Sequence, residues 1–228
     1  MLFKSSVYTQ ASGSIGGITY SRNAGGMYTR GRAIPTNPNT AAQQAVKGYM
    51  SLLSQAWSNV LTSLQRGAWE AYAANVPLRN SLGDERPVSG LNQYIRSNVP
   101  RLTAGLTRID AGPTNYTLCG LTPPTIVSIT ASSSLASIAF TNTDEWALAT
   151  GGALLIFVSE PLQATINFFK GPFRYAGRVN GAGSAPTSPA SVTIPFPTAV
   201  GKKLFVRFAA TAPDGRLSAD LIRFQLAV

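Results

Sequence analysis

The chain has 228 residues, of which 44% are apolar and only 12% charged, with 19 Lys+Arg against 9 Asp+Glu, no histidine and one cysteine. Without histidine there is no Ser-His-Asp or Cys-His catalytic site and no His-ligated zinc, haem or copper centre. A single cysteine excludes an intrachain disulfide framework and a Cys-cluster metal site, and no cofactor is expected.

The length fits one large domain or two small ones. The low charge argues against charge-driven disorder, and 21 glycines with 15 prolines suit a turn-rich, largely β protein. No apolar run reaches the roughly 18 residues of a membrane span. The start, Met1-Leu2-Phe3-Lys4-Ser5, lacks the apolar stretch of a secretory signal, which predicts assembly and use without export through a membrane.

Charge divides the chain. Lys4, Arg22, Arg30, Arg32, Lys47 and Arg66 precede the first acidic residue, Glu70. Three regions follow: a basic Gly-rich arm (1–38), a helical segment (39–110) and a β-rich domain (122–228).

In the arm, Ile18 to Arg22 and Met27 to Arg32 are β-prone runs flanking a turn-like Asn23-Ala24-Gly25-Gly26, which predicts a hairpin. Alternate residues share a strand face, so Ile18, Tyr20 and Arg22 group on one run and Tyr28, Arg30 and Arg32 on the other. The hairpin is expected to present tyrosines and arginines together, as a protein contact surface or as a grip on phosphates and bases. Upstream, Gly13-Ser14-Ile15-Gly16-Gly17 lacks the lysine of a phosphate loop and reads as a turn.

The helical segment opens with Asn39 or Thr40 as N-cap. Val46, Tyr49, Met50, Leu53, Trp57 and Val60 then mark one helix face. Thr62 and Gln65 form a capping box for a second helix carrying Trp69 and Tyr72, which ends before Val76-Pro77. Ser89 caps a third helix, with Leu91, Tyr94, Ile95 and Val99 on one face and Pro100 closing it. Trp57 and Trp69 are core residues or anchors for a partner; three short helices alone bury little apolar area and need a further surface.

From Pro123 the pattern has period 2. Strands are expected at 125–131, 135–141, 153–159, 173–180, 191–196, 202–211 and 217–227, with Asp214-Gly215 as a hairpin turn. Seven short strands in this length predict an immunoglobulin-like or fibronectin-like β-sandwich. The fold class is therefore α+β: an arm with a hairpin, about three helices and an all-β sandwich.

The remaining candidates read as structural. Asp84-Glu85, beside Gly83, and Asp144-Glu145 are expected to be solvated loop charges rather than a carboxylate pair in a pocket. Cys119 has no basic neighbour in sequence to activate it. Asn115-Tyr116-Thr117 matches a glycosylation pattern without a signal sequence to make it meaningful.

The run Asn37-Pro38-Asn39-Thr40-Ala41-Ala42-Gln43, Trp57, and Leu61-Thr62-Ser63-Leu64-Gln65-Arg66-Gly67-Ala68-Trp69 resemble small virion proteins of tailed phages and prophages. These have a Gly-rich arm, a helical Leu-Thr-x-x-Gln-Arg-x-x-Trp segment and often a terminal sandwich. The resemblance covers roughly residues 13–100 and carries no catalytic residues. It implies a non-enzymatic virion component, in the capsid, neck or tail, assembled in the host cytoplasm. Its partners would be other virion proteins and copies of itself, with no membrane. Tyr20, Arg22, Tyr28, Arg30 and Arg32 are then the expected arm contacts, with Trp57 and Trp69 as helix anchors. Two alternatives stand beside this: a nucleic-acid-binding protein using the basic arm, and a carbohydrate-binding adhesion protein stacking sugars on Trp146, Phe168, Phe169 and Tyr175.

Overall fold

The structure is a computed structural model and describes residues 11–23, 26–79 and 85–228. The readings placed on Met1 to Ser5, Ala24, Gly25, Gly83 and Asp84 lie outside the described residues. The fold is α+β, and the chain divides into two compact units, 1–41 and 42–228. The helical segment and the sandwich therefore belong to one unit.

In the first unit, β1 (Gly13–Ile15), β2 (Ile18–Asn23) and β3 (Gly26–Gly31) form an antiparallel meander. The expected two-stranded hairpin thus has a third strand. The reason is the Gly16-Gly17 pair: Gly16 sits at φ +58°, a conformation glycine adopts without strain, and the turn brings Ile15 opposite Ile18.

The second unit opens with α1 (Ala41–Asn59), preceded by Asn39 at φ +48°. Thr62 caps α2 (Ser63–Asn75) with the full capping box: Gln65 N donates to Thr62 Oγ1 at 3.3 Å, and Thr62 N donates back to Gln65 Oε1 at 2.9 Å. Short strands β4 (Leu78–Arg79) and β5 (Glu85–Arg86) pair before α3 (Gly90–Thr103), which Ser89 caps through Asn92 N. Pro100 lies inside α3 rather than closing it. A proline there removes one helical hydrogen bond, but Arg101 in the same turn is held by four acceptors.

The face of α3 also departs from expectation. Its fully covered side chains are Gln93, Tyr94, Ser97, Asn98 and Arg101, while Leu91, Ile95 and Val99 are half-buried. Part of this polar face meets backbone rather than apolar side chains. Asn98 donates to Ile109 O and accepts from Ile109 N at 2.7 Å, and Arg101 Nε donates to Thr107 O at 3.1 Å. The chain after α3 is thereby folded back over α2. Gly112 lies so close to α2 that a Cβ there would stand 2.6 Å from Trp69 N.

The sandwich pairs a three-stranded sheet, β10 (Ala190–Thr193), β7 (Leu135–Ala139) and β6 (Thr125–Thr130), with a four-stranded one. The latter runs β12 (Leu221–Leu226), β11 (Lys203–Thr211), β8 (Ala153–Val158) and β9 (Arg174–Asn180). All seven expected strands are present. The chain crosses between the sheets three times, as in immunoglobulin-like sandwiches. A short fourth helix, α4 (Glu145–Leu148), bridges β7 to β8. The Asp214-Gly215 turn forms, with Gly215 at φ +92° and Ala212 N donating to Arg216 O.

Between the sheets, Ile129, Ile138 and Val192 pack on Leu154, Ile156, Val206 and Phe208. Strand β8 is buried on both sides, so its sequence, Ala-Leu-Leu-Ile-Phe-Val, is apolar throughout rather than alternating. Its outward residues Ala153, Leu155 and Phe157 are covered by Ala104 at the end of α3, by Leu106 and by Phe173. Arg101 adds donations to Gly151 O, Thr211 Oγ1 and Ala212 O, joining the helices to the sheet.

Candidate interaction surface

Cross-strand partners share a face of a sheet. In the N-terminal meander Ile18 faces Gly31, Tyr20 faces Thr29 and Arg22 faces Met27; on the other side Thr19 faces Arg30 and Ser21 faces Tyr28. The expected joint display of tyrosines and arginines is therefore corrected: Tyr20 and Arg22 lie on one face, Tyr28 and Arg30 on the opposite one. The cause is the register. The strands close at Asn23↔Gly26, so every pair couples an even-numbered with an odd-numbered residue. Arg32 lies just past β3, where its N–H donates to Gly17 O at 2.8 Å.

The Tyr20 face also carries Ile15 and Ile18, which are 78% and 45% exposed, together with Met27. The opposite face is polar, with Ser14 and Thr19 hydroxyls 2.8 Å apart. Arg22, Arg30 and Arg32 are exposed, and none of the described residues of 11–41 is buried. This small sheet has an apolar face, a polar face and cations on both.

The exposed character continues into α1. Every residue from 31 to 48 is exposed. The stripe Val46, Tyr49, Met50, Leu53, Trp57 and Val60 is embedded only in part: Leu53, with neighbouring Ala56, is buried and Trp57 is half-buried against Tyr94 at 5.7 Å, while Val60, just past α1, is 57% exposed.

Trp69 is not a surface anchor. It is fully buried, packs edge-on against Tyr72 and Tyr94, and donates Nε1 to Asp110 O at 3.0 Å. Its apolar helical position is equally consistent with core and with interface, and the folded-back chain at 104–119 makes it core. Within 61–69, Gln65 caps, Arg66 donates to Trp57 O at 3.3 Å, and Trp69 fills the core.

The acidic pair Asp144-Glu145 is engaged rather than simply solvated. Asp144 accepts from Thr122 N, Thr122 Oγ1 and Trp146 Nε1, while Glu145 and Asp214 both hold Arg216. Glu85 is exposed. Cys119 is buried, and burial first, then the charge of Glu145, pushes its thiol up to about 12. Asn115 Oδ1 is occupied by Thr117 N and Thr117 Oγ1. Among the described residues no three His, Cys, Asp or Glu side chains gather as a metal site.

The four sugar-stacking candidates differ in accessibility, with Phe169 and Tyr175 half-buried. Trp146 is fully buried, Phe169 is stacked on Phe205 and Tyr175 is edge-on to Phe157; only Phe168 projects, 79% exposed. No protein-family model, no curated protein and no solved structure matches this chain.

Proposed function

We propose that this chain is a structural subunit of a tailed-bacteriophage particle, docking to neighbouring subunits through its N-terminal sheet and α1. The sandwich is the outward module. The observation that carries this reading is the N-terminal unit, a three-stranded sheet with an exposed apolar face and no buried residue among those described. A sheet of this size gains stability only when an apolar face is covered. The phage resemblance over residues 13–100 supplies the setting. A carbohydrate-binding role is weakened by the burial of Trp146 and by the packing of half-buried Phe169 and Tyr175 on Phe205 and Phe157.

The test is sedimentation of purified phage particles through a density gradient. The chain is expected to travel with the particles in multiple copies. Trypsin should cut it after Arg22, Arg30 and Arg32 more slowly there than in the free chain. Recovery only at the top of the gradient overturns the reading.

A further inference from the structure

We infer that the N-terminal sheet docks on an acidic, partly apolar surface of a different protein, and not on a second copy of this chain; the inference rests on the docking reading above. The apolar face sets the first requirement. Ile15 and Ile18 stand directly opposite each other across the β1–β2 turn, both exposed, so the receptor must offer apolar ground there. Charge sets the second. Arg22 rims this same face, Arg32 follows β3, and no acidic residue occurs before Glu70.

A second copy meets the apolar requirement but fits poorly on charge. Its arm brings the same cations, and like charges facing each other are destabilising. Most carboxylates of its main body are committed, Asp110 to Arg108, Asp144 to Thr122 and Trp146, Glu145 and Asp214 to Arg216, and Asp220 to Arg207, which among the described residues leaves Glu70 and Glu160 as single exposed acids rather than an acidic surface. The net charge of the whole chain is +10, so two copies repel. Nucleic acid is the other polyanion. It would be gripped by cations tracking one face. Here Arg22 and Arg30 lie on opposite faces, and the isoleucine pair has no counterpart on a phosphate backbone.

The test uses the full chain with defined probes: a glutamate–leucine copolymer, plain polyglutamate, a short DNA duplex and no probe. The reading is the rate of trypsin cleavage after Arg22, Arg30 and Arg32, with sedimentation velocity alongside. The glutamate–leucine copolymer is expected to slow cleavage about tenfold, the equivalent of ~1.4 kcal/mol of binding. Salt should erase that protection, and plain polyglutamate should give less of it. An Ile15→Ser/Ile18→Ser variant should lose the preference for the leucine copolymer while sedimenting like the parent chain. Equal or better protection by DNA overturns the inference in favour of nucleic acid. Protection that rises with protein concentration alone, together with dimer formation, overturns it in favour of a second copy. No protection by any acidic probe overturns it outright. Co-sedimentation with particles is scored separately, so the docking reading can stand when this inference falls, and the reverse.

Discussion

Arg101 Nη1 donates to Thr211 Oγ1 across 2.9 Å, tying the last turn of α3 to the end of β11. The guanidinium is 1% exposed, and its other acceptors are the carbonyls of Thr107, Gly151 and Ala212. Among the described residues no carboxylate hydrogen-bonds to it; burial pulls its pKa down, and the charge of Asp214 acts the other way. One side chain thus satisfies backbone from the post-α3 chain, the β8 approach and the β11–β12 turn. Arg101→Met takes that donor from all four acceptors, of which Ala212 O keeps Gly215 N. The expected loss is about 3 kcal/mol, from the usual cost of unsatisfied buried groups. It should appear as a lower urea midpoint with helices and sandwich still unfolding in one transition. A midpoint unchanged from the parent chain would remove Arg101 from this role.

Tyr72 makes the opposite case. Its ring is fully buried, and its hydroxyl is buried without a hydrogen-bond partner among the described residues. Desolvation accordingly raises its pKa. Removing an unsatisfied buried hydroxyl while keeping the ring costs nothing in packing, so Tyr72→Phe should be neutral or stabilising by up to ~1 kcal/mol. Thermal unfolding of the two chains side by side decides it. A clear loss of stability would mean that the hydroxyl has a partner, such as an ordered water.

Cys119 links stability to alkaline pH. Its thiol is raised from 9.0 to about 12, first by burial and then by Glu145. The unfolded thiol therefore ionises at lower pH than the folded one. Its contribution is fully present below about pH 9 and is lost as pH rises towards 12. Cys119→Ala should flatten the decline of stability over that window. In the native chain the thiol should resist alkylation at pH 8 and react promptly once urea unfolds the protein. Rapid labelling of the folded chain would contradict the burial.

Much of the sandwich was legible because period-2 alternation and the Asp214-Gly215 turn are local signals. Strand β8 shows where that stops. Its continuous apolar run marks burial on both sides, but which element covers the second side depends on the fold-back after α3. Helix α3 forms behind its Ser89 cap as expected but departs from expectation at Pro100 and on its covered polar side, for the same reason. Pro100 is a local stop signal, and nothing local says that Arg101 beside it will be buried by four distant or looped-back acceptors. Of the expected face Tyr94 enters the core and Ile95 and Val99 pack against it, whereas the polar side chains Asn98 and Arg101, covered on the same helix, grip backbone. Trp69, expected as a helix anchor for a partner, lies in the core, because spacing along a helix gives a face and not its partner. Of the site, the basic exposed arm was readable from the absence of acidic residues before Glu70; the division of its tyrosines between two faces was not.

That division follows from register and is open to a direct check. The closing pair is Asn23↔Gly26, and hydrogen-bonded and non-hydrogen-bonded pairs alternate from there. Tyr20↔Thr29 is then a non-hydrogen-bonded pair, with Cα atoms expected about 4.5 Å apart. Tyr20→Cys/Thr29→Cys should close a disulfide readily under mild oxidation, since a cross-strand pair of this kind falls within disulfide reach. Tyr20→Cys/Tyr28→Cys should not, because those side chains point from opposite faces of the meander. The readout is the count of free thiols, with the buried Cys119 as the internal reference. If Tyr20→Cys/Tyr28→Cys oxidises as fast as Tyr20→Cys/Thr29→Cys, the register is shifted by one residue. Tyr20, Arg22, Tyr28 and Arg30 would then share one face, and the case against a phosphate-gripping arm would lose its geometric basis.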